Sequence, residues 1–150
     1  MAKRSLPIVS LAAALALAAS SLPAQAPPDP AVENAKYVAE WKARIAGKEK
    51  APAKEVFKNL KLFGEMPAER LLGVMEGGFS KSLGVGCTHC HNPAAWDSDE
   101  KDAKQIAREM SGLARSIREQ LAGIEKLGSR NPTVNCTTCH RGNVKPATSL

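Results

Sequence analysis

Apolar residues along this chain recur at helical spacing and never alternate with period two over a strand's length, so the pattern predicts an all-α fold with little or no sheet. After prolines at 27, 28 and 30, the residues Val32, Ala35, Val38 or Ala39 and Ala46 trace a weak stripe around Tyr37 and Trp41, predicting a helix over 31–46. A loop through Pro52 leads to a short amphipathic piece with Val56, Leu60 and Phe63, too brief for its type to be fixed. Pro67 then occupies a first helical position with Glu69 in the first turn, and Leu71, Leu72, Met75 and Phe79 follow at helical spacing before Gly84 stops the run. The longest stripe starts at Asp97, which with Glu100 resembles a capping box, and continues through Ile106, Met110, Leu113, Ile117, Leu121 and Ile124 to Gly128 and Pro132.

The segment before the first helix has a different character. Lys3 and Arg4 precede an apolar stretch from Leu6 to Ala19, and Ala24-Gln25-Ala26 offers a small-residue cleavage site, so residues 1–26 read as an export signal. The stretch is shorter than the roughly 20 apolar residues a membrane span needs, so the mature chain, 27–150, is expected to be one periplasmic domain without a membrane span. Cleavage removes Lys3 and Arg4 and lowers the net charge from +6 to +4. No run of basic residues stands out from the acids, which argues against a nucleic-acid partner. Aromatic residues make up only 4% of the chain, so its own side chains promise a thin core, and a large cofactor would supply the missing apolar bulk.

The cysteines indicate which cofactor. Cys87-Thr88-His89-Cys90-His91 and Cys136-Thr137-Thr138-Cys139-His140 are two C-x-x-C-H units, the attachment signature of c-type haem. In each unit the two thiols bind one porphyrin and the adjacent histidine becomes the axial ligand beneath the iron. Structural zinc is the rival for two C-x-x-C pairs, but their usual separation is about 15 to 20 residues and here 45 intervene. Disulfides are the other rival, permitted by export. Neither uses the histidines, which are 3 of 150 residues; chance would put one after both pairs roughly once in 2,500 sequences. Two covalently bound haem c groups are therefore expected, on Cys87, Cys90 and His91 and on Cys136, Cys139 and His140.

From Val56 to Pro146 the chain resembles the cytochrome c subunit family of photosynthetic reaction centres and its non-photosynthetic relatives, in the half carrying the last two haem motifs. The resemblance rests on M-P-A-E-R-L-L-G-V-M from Met66, S-L-G-V-G-C-T-H-C-H from Ser82, S-D-E-K from Ser98, Q-I-A-R-E-M from Gln105 and V-N-C-T-T-C-H-R-G from Val134. It implies small units of helix, turn and C-x-x-C-H, with the helix often supplying a methionine to the far side of the iron, and electrons passed between haems and onward to a partner. Two motifs stand here where that subunit has four, and no histidine matches the remote one that commonly ligates the family's last haem.

Supply narrows the remaining ligands to Met66, Met75 and Met110. Met75 lies 12 residues before Cys87 on a helix that turns back at Gly84-Val85-Gly86, so it is the candidate sixth ligand opposite His91, and Gly78 one turn on would let a porphyrin approach the helix. Met110 is the local candidate for the second haem, opposite His140, and fits equally as a core residue between Ile106 and Leu113. Met66 reads as packing, His89 as solvated, and Arg141 as a weak candidate for a propionate. Trp96 and Phe79 would cover the first porphyrin, although core aromatics would look the same. The expected function is single-electron relay between periplasmic or membrane-bound redox proteins. The alternative is a haem enzyme or small-ligand binder, peroxidase-like, using an open sixth position on the second haem; no residue offers a convincing distal acid or base.

Overall fold

Helix α1 spans Pro30–Arg44, with proline in its first turn, where a missing N–H costs nothing, and the Asp29 carboxylate accepting from Ala31 N at 2.8 Å. The structure, a computed structural model, describes residues 29–128 and 131–149; the expected export signal lies outside them. The piece around Val56 shrinks to one turn, α2, Ala53–Val56. Beyond it Asn59 and Phe63 take left-handed backbone angles, φ 55° and 64°, so the expected apolar spacing of Val56, Leu60 and Phe63 belongs to a loop. Backbone bonds from Ala53 N to Met66 O, 2.8 Å, and from Ala68 N to Ala51 O, 2.9 Å, lace this turn to the next helix. Both alanines are fully buried, because the crossing backbones leave no room for a longer side chain.

The helix predicted from Pro67 to Gly84 forms, but in three registers. An α-helical turn, α3, Ala68–Gly73, widens into a π-helix over Val74–Ser80 and tightens again in α4, Lys81–Leu83, before Gly84 ends it at φ 68°. Long π segments are rare and tend to occur at functional sites; Gly77 and Gly78 sit inside this one and give little support to the tighter α register. The first C-x-x-C-H unit then makes a 3₁₀ turn at Cys87–His89.

Helix α5 spans Asp102–Ala122 and begins five residues later than its sequence pattern suggests. The residues read as a capping box bond elsewhere: Glu100 accepts from Asn92 Nδ2 at 2.8 Å, and the Asp97 carbonyl accepts from Asn59 Nδ2 at 2.6 Å. The helix stops at Gly123, short of Gly128. The second C-x-x-C-H unit is a helical turn, α6, Cys136–His140, held by a reciprocal capping box between Asn135 and Thr138. Among the described residues there are isolated bridges, Pro52 with Pro67 and Asn92 with Ala95, and no strand. The fold is all-α.

The buried apolar core is thin: Ile45, Ala53, Ala68, Leu71 and Leu72, with Trp41, Val56 and Phe57 packed against it. No residue of α5 is buried. The second motif docks on the end of the first motif's helix through the hydroxyls of Ser82 and Thr137, 2.6 Å apart, and through Gly142 N donating to Ser82 O at 2.8 Å. A Cβ on Gly84 would lie 2.0 Å from the Gly142 carbonyl oxygen, on top of its left-handed backbone. Gly84→Ala should therefore cost clearly more than the roughly 1 to 2 kcal/mol of the backbone angle alone. Gly128→Ala, at φ 73° with nothing within 4 Å of the new methyl, should cost only that angle. Denaturant unfolding of the two variants checks the difference.

Candidate cofactor sites

The first motif is held from a distant part of the chain. Asn34, the buried residue of α1, accepts from Cys87 N at 3.0 Å and from the Cys87 thiol at 3.1 Å, and its amide donates to Val85 O at 3.4 Å. Its neighbour Glu33 accepts from Thr88 N at 2.7 Å and from the Thr88 hydroxyl at 3.1 Å. A Cβ on Gly86 would lie 2.5 Å from the Glu33 carboxyl carbon, so glycine there lets helix and loop meet. Burial, with the Glu33 carboxylate second, pushes the Cys87 thiol up, and burial pushes Cys90 up. Both thiols stay protonated at neutral pH, unlike thiolates poised for metal or redox chemistry. Among the described residues no three or more His, Cys, Asp or Glu side chains converge as a structural zinc site requires.

Nδ1 of His91 lies 3.1 Å from the Trp96 carbonyl oxygen, and Nδ1 of His140 lies 3.0 Å from the Asn143 carbonyl oxygen. A carbonyl only accepts, so each Nδ1 is the protonated nitrogen and each Nε2 keeps a free lone pair. That is the state an axial histidine needs, with the ring oriented by a backbone partner. Burial pushes the His91 imidazole below its usual range, which keeps it neutral.

His91, Cys87, Cys90 and Met75 open onto one cavity of about 540 Å³, with Leu71, Leu72, Phe79 and Trp96 among its apolar walls. The size is that of a ligand pocket, and the donor set along its wall is the one c-type haem uses. The residues fit the group. Lys104 and Arg108 form part of the same wall at its polar end. Both pair with Asp99, at 3.1 Å and 2.9 Å. His89 is exposed.

Beside Cys136 lies a smaller groove of about 150 Å³, between Val74, Gly78 and Phe79 on one side and Ser111, Ala114, Arg115 and Arg118 of α5 on the other; Cys139 and His140 do not line it. Gly78 therefore borders this groove rather than the cavity that holds Met75 and His91. Phe63 and Phe79 line both, their rings 6.4 Å apart and edge to face, so this pair is a wall common to the cavity and the groove. Met110 is 41% exposed and does not line the groove; it stands on the α5 stripe with Ile106 and Leu113, also exposed. Arg141 is exposed at φ 49°, and Met66 is half-buried in the turn before α3.

A family model described as the photosynthetic reaction centre cytochrome C subunit matches residues 21–149 and so takes in both motifs. The chain belongs to this family. The photosynthetic reaction center cytochrome c subunit of Rubrivivax gelatinosus is 37% identical over 90 residues, covering 53% of this chain and 24% of that protein. The subunit of the same name from Thermochromatium tepidum is 31% identical over 96 residues, covering 63% and 22%. Cytochrome c-554 of Chloroflexus aurantiacus is 32% identical over 82 residues, covering 55% and 20%. The chain thus spans between a fifth and a quarter of the length of these relatives.

Glu33, Asn34, Phe63 and Lys104 escaped the reading of the sequence. A polar pair on a helix and a lysine on another carry no local signal, since their partners lie far along the chain or in an irregular loop. The cluster at Asp99 has a pH consequence. Arg108 first, then Asn59 and Lys104, hold its carboxyl well below the usual carboxylate range. Its contribution to stability is present above the unfolded value near 3.9 and is lost as pH falls toward the lower folded value. Thermal unfolding should show Asp99→Asn melting below the natural protein at pH 6, with the gap closing below about pH 4 and shrinking in high salt.

Proposed function

We propose that this member of the family is an exported electron carrier that holds two c-type haems and relays single electrons between periplasmic or membrane-bound redox proteins. The observation that carries the reading is that Nδ1 of each motif histidine lies within hydrogen-bond distance of a backbone carbonyl oxygen, 3.1 Å at His91 and 3.0 Å at His140, a contact that orients the ring and leaves Nε2 as the nitrogen for an iron. A haem bound at each motif supplies the one-electron couple of its iron. Cys87 and Cys90, and Cys136 and Cys139, would tether the groups, and His91 and His140 would ligate them. Met75, which lines the first cavity together with His91, would be the further ligand there. Phe63 and Phe79 line both the first cavity and the groove beside Cys136, a closeness that would suit relay between a haem at each motif. Residues 1–26 serve as the export signal, and among the described residues no helix is long and apolar enough to cross a membrane.

One observation favours the second reading, a small-ligand binder or peroxidase-like enzyme. Met110, the candidate sixth ligand for the second haem, is 41% exposed on α5 and does not line the groove beside Cys136. Without it, a haem at the second motif would have a position free for a small ligand.

Intact mass of the purified protein should correspond to a chain starting near Pro27 with two thioether-linked haems, and acid-acetone should extract neither. Replacing Cys136 and Cys139 with alanine should remove one of them. Met75→Ala should abolish the methionine-to-iron charge-transfer band of the first ferric haem, lower its potential and admit carbon monoxide, because a methionine ligand raises the potential. An unchanged band, potential and carbon monoxide response would return Met75 to the core. Carbon monoxide binding by the reduced natural protein separates the two functional readings: uptake at the second iron favours the ligand binder, and none favours the carrier.

A further inference from the structure

The Trp96 carbonyl that accepts from His91 has a second donor. Lys104 Nζ lies 3.2 Å from it, 2.6 Å from the Ser98 carbonyl and 3.1 Å from Asp99 Oδ1, so all three ammonium protons have acceptors. The Lys104 side chain is only 11% exposed, and it forms part of the wall of the first cavity. A nearly buried cation with its donors spent on this chain's own oxygens, one of them the oxygen that orients a candidate metal ligand, is more than a solvated helix charge.

We propose that Lys104 is a positioning residue that tunes His91 as an iron ligand through the Trp96 carbonyl they share, with Asp99 setting how much of the charge is felt. The inference rests on the haem reading of the first motif. A carbonyl oxygen has lone pairs for two donors, but a cation on one of them draws density away from the other. The bond to His91 Nδ1–H weakens, the imidazole becomes a poorer donor at Nε2, and the reduced iron is favoured; hydrogen bonds of this kind raise ligand basicity when they are strong and lower it when they are weak. The positive charge itself acts in the same direction. Asp99 opposes it, and divides its own carboxylate between Lys104 and Arg108.

The two partners therefore have opposite signs, which a merely structural role would not give. In spectroelectrochemical titration of the intact holoprotein, Lys104→Met should move one of the two potential waves downward and leave the other in place. Asp99→Asn should move the same wave upward, and Lys104→Arg, which keeps the charge, should lie between Lys104→Met and the natural protein. In the reduced protein the His91 Nδ1 proton resonance should shift downfield in Lys104→Met, reporting a stronger bond to Trp96, and upfield in Asp99→Asn. Shifts of the same sign in both variants, movement of both waves together, or no movement would overturn the inference while two haems remain bound. If Lys104→Met does not fold, Asp99→Asn alone decides, since an unchanged or lowered potential there contradicts the proposal. Loss of thioether-linked haem from the natural protein's first motif would instead overturn the functional reading, and this inference with it.

Discussion

The bond from His91 Nδ1 to the Trp96 carbonyl is the constraint around which the first site is arranged. It fixes the tautomer and the ring plane together, and it works only if the carbonyl is itself immobile. Its immobility comes from the other end of the residue: the Trp96 ring sits 5.0 Å from Tyr37 and 5.8 Å from Trp41, edge to face with both. Such aromatic pairs contribute about 0.5–1.5 kcal/mol each beyond the area they bury. Helix α1 thus does two things at once, since Asn34 and Glu33, earlier on the same helix, hold the start of the motif loop. The motif is clamped at both ends by an element more than fifty residues away in sequence.

The second organising feature is the π-helix. In an uninterrupted α-helix, Met75 and Phe79 would share a stripe and Val74 and Gly78 its flank. The same division holds over the π-helix, with Met75 and Phe79 on the first cavity and Val74 and Gly78 on the groove, which Phe79 also lines, so a single segment serves as wall for both. Phe63 reaches this wall from a loop, at φ 64°, an angle that costs of order 1 kcal/mol or more for a bulky residue. Strain of that kind persists where the surroundings over-determine it, and here the surroundings are the Phe79 ring and the borders of two cavities.

Apolar burial is economical elsewhere. Ile45 is the one large side chain fully buried among the described residues, and α5 keeps Ile106, Met110 and Leu113 exposed, with Ile124 exposed just beyond its end. The proposed haems add apolar mass where the chain has least, against a 540 Å³ cavity whose walls are already formed. The second motif is different in kind: its histidine is oriented and its capping box is complete, but the groove beside Cys136 is smaller, about 150 Å³, and is not lined by His140.

The all-α class, the helices beginning near Pro30 and Pro67, the stop at Gly84 and the two motifs with their histidines were all legible in the sequence, because helical periodicity, terminal prolines, a left-handed glycine and C-x-x-C-H spacing are local signals. Met75 was legible as well, as a residue on the helix that turns back toward the first motif, and it lies on the cavity wall with His91. The late start of α5 was not, since Asp97 and Glu100 make a plausible cap until Asn59 and Asn92 compete for them. Nor was the side on which Gly78 falls, which depends on how the segment packs between the first cavity and the groove beside Cys136. Met110 is the candidate for the second motif because it precedes it along the chain, and it stands exposed on α5, off the groove beside Cys136. What the sequence determined by itself is the helical class and the two C-x-x-C-H units with their spacing. Which oxygen orients each histidine, which helix clamps the loop and which cation touches the shared carbonyl were decided by tertiary structure, because those contacts join residues whose separation along the chain has no period to read.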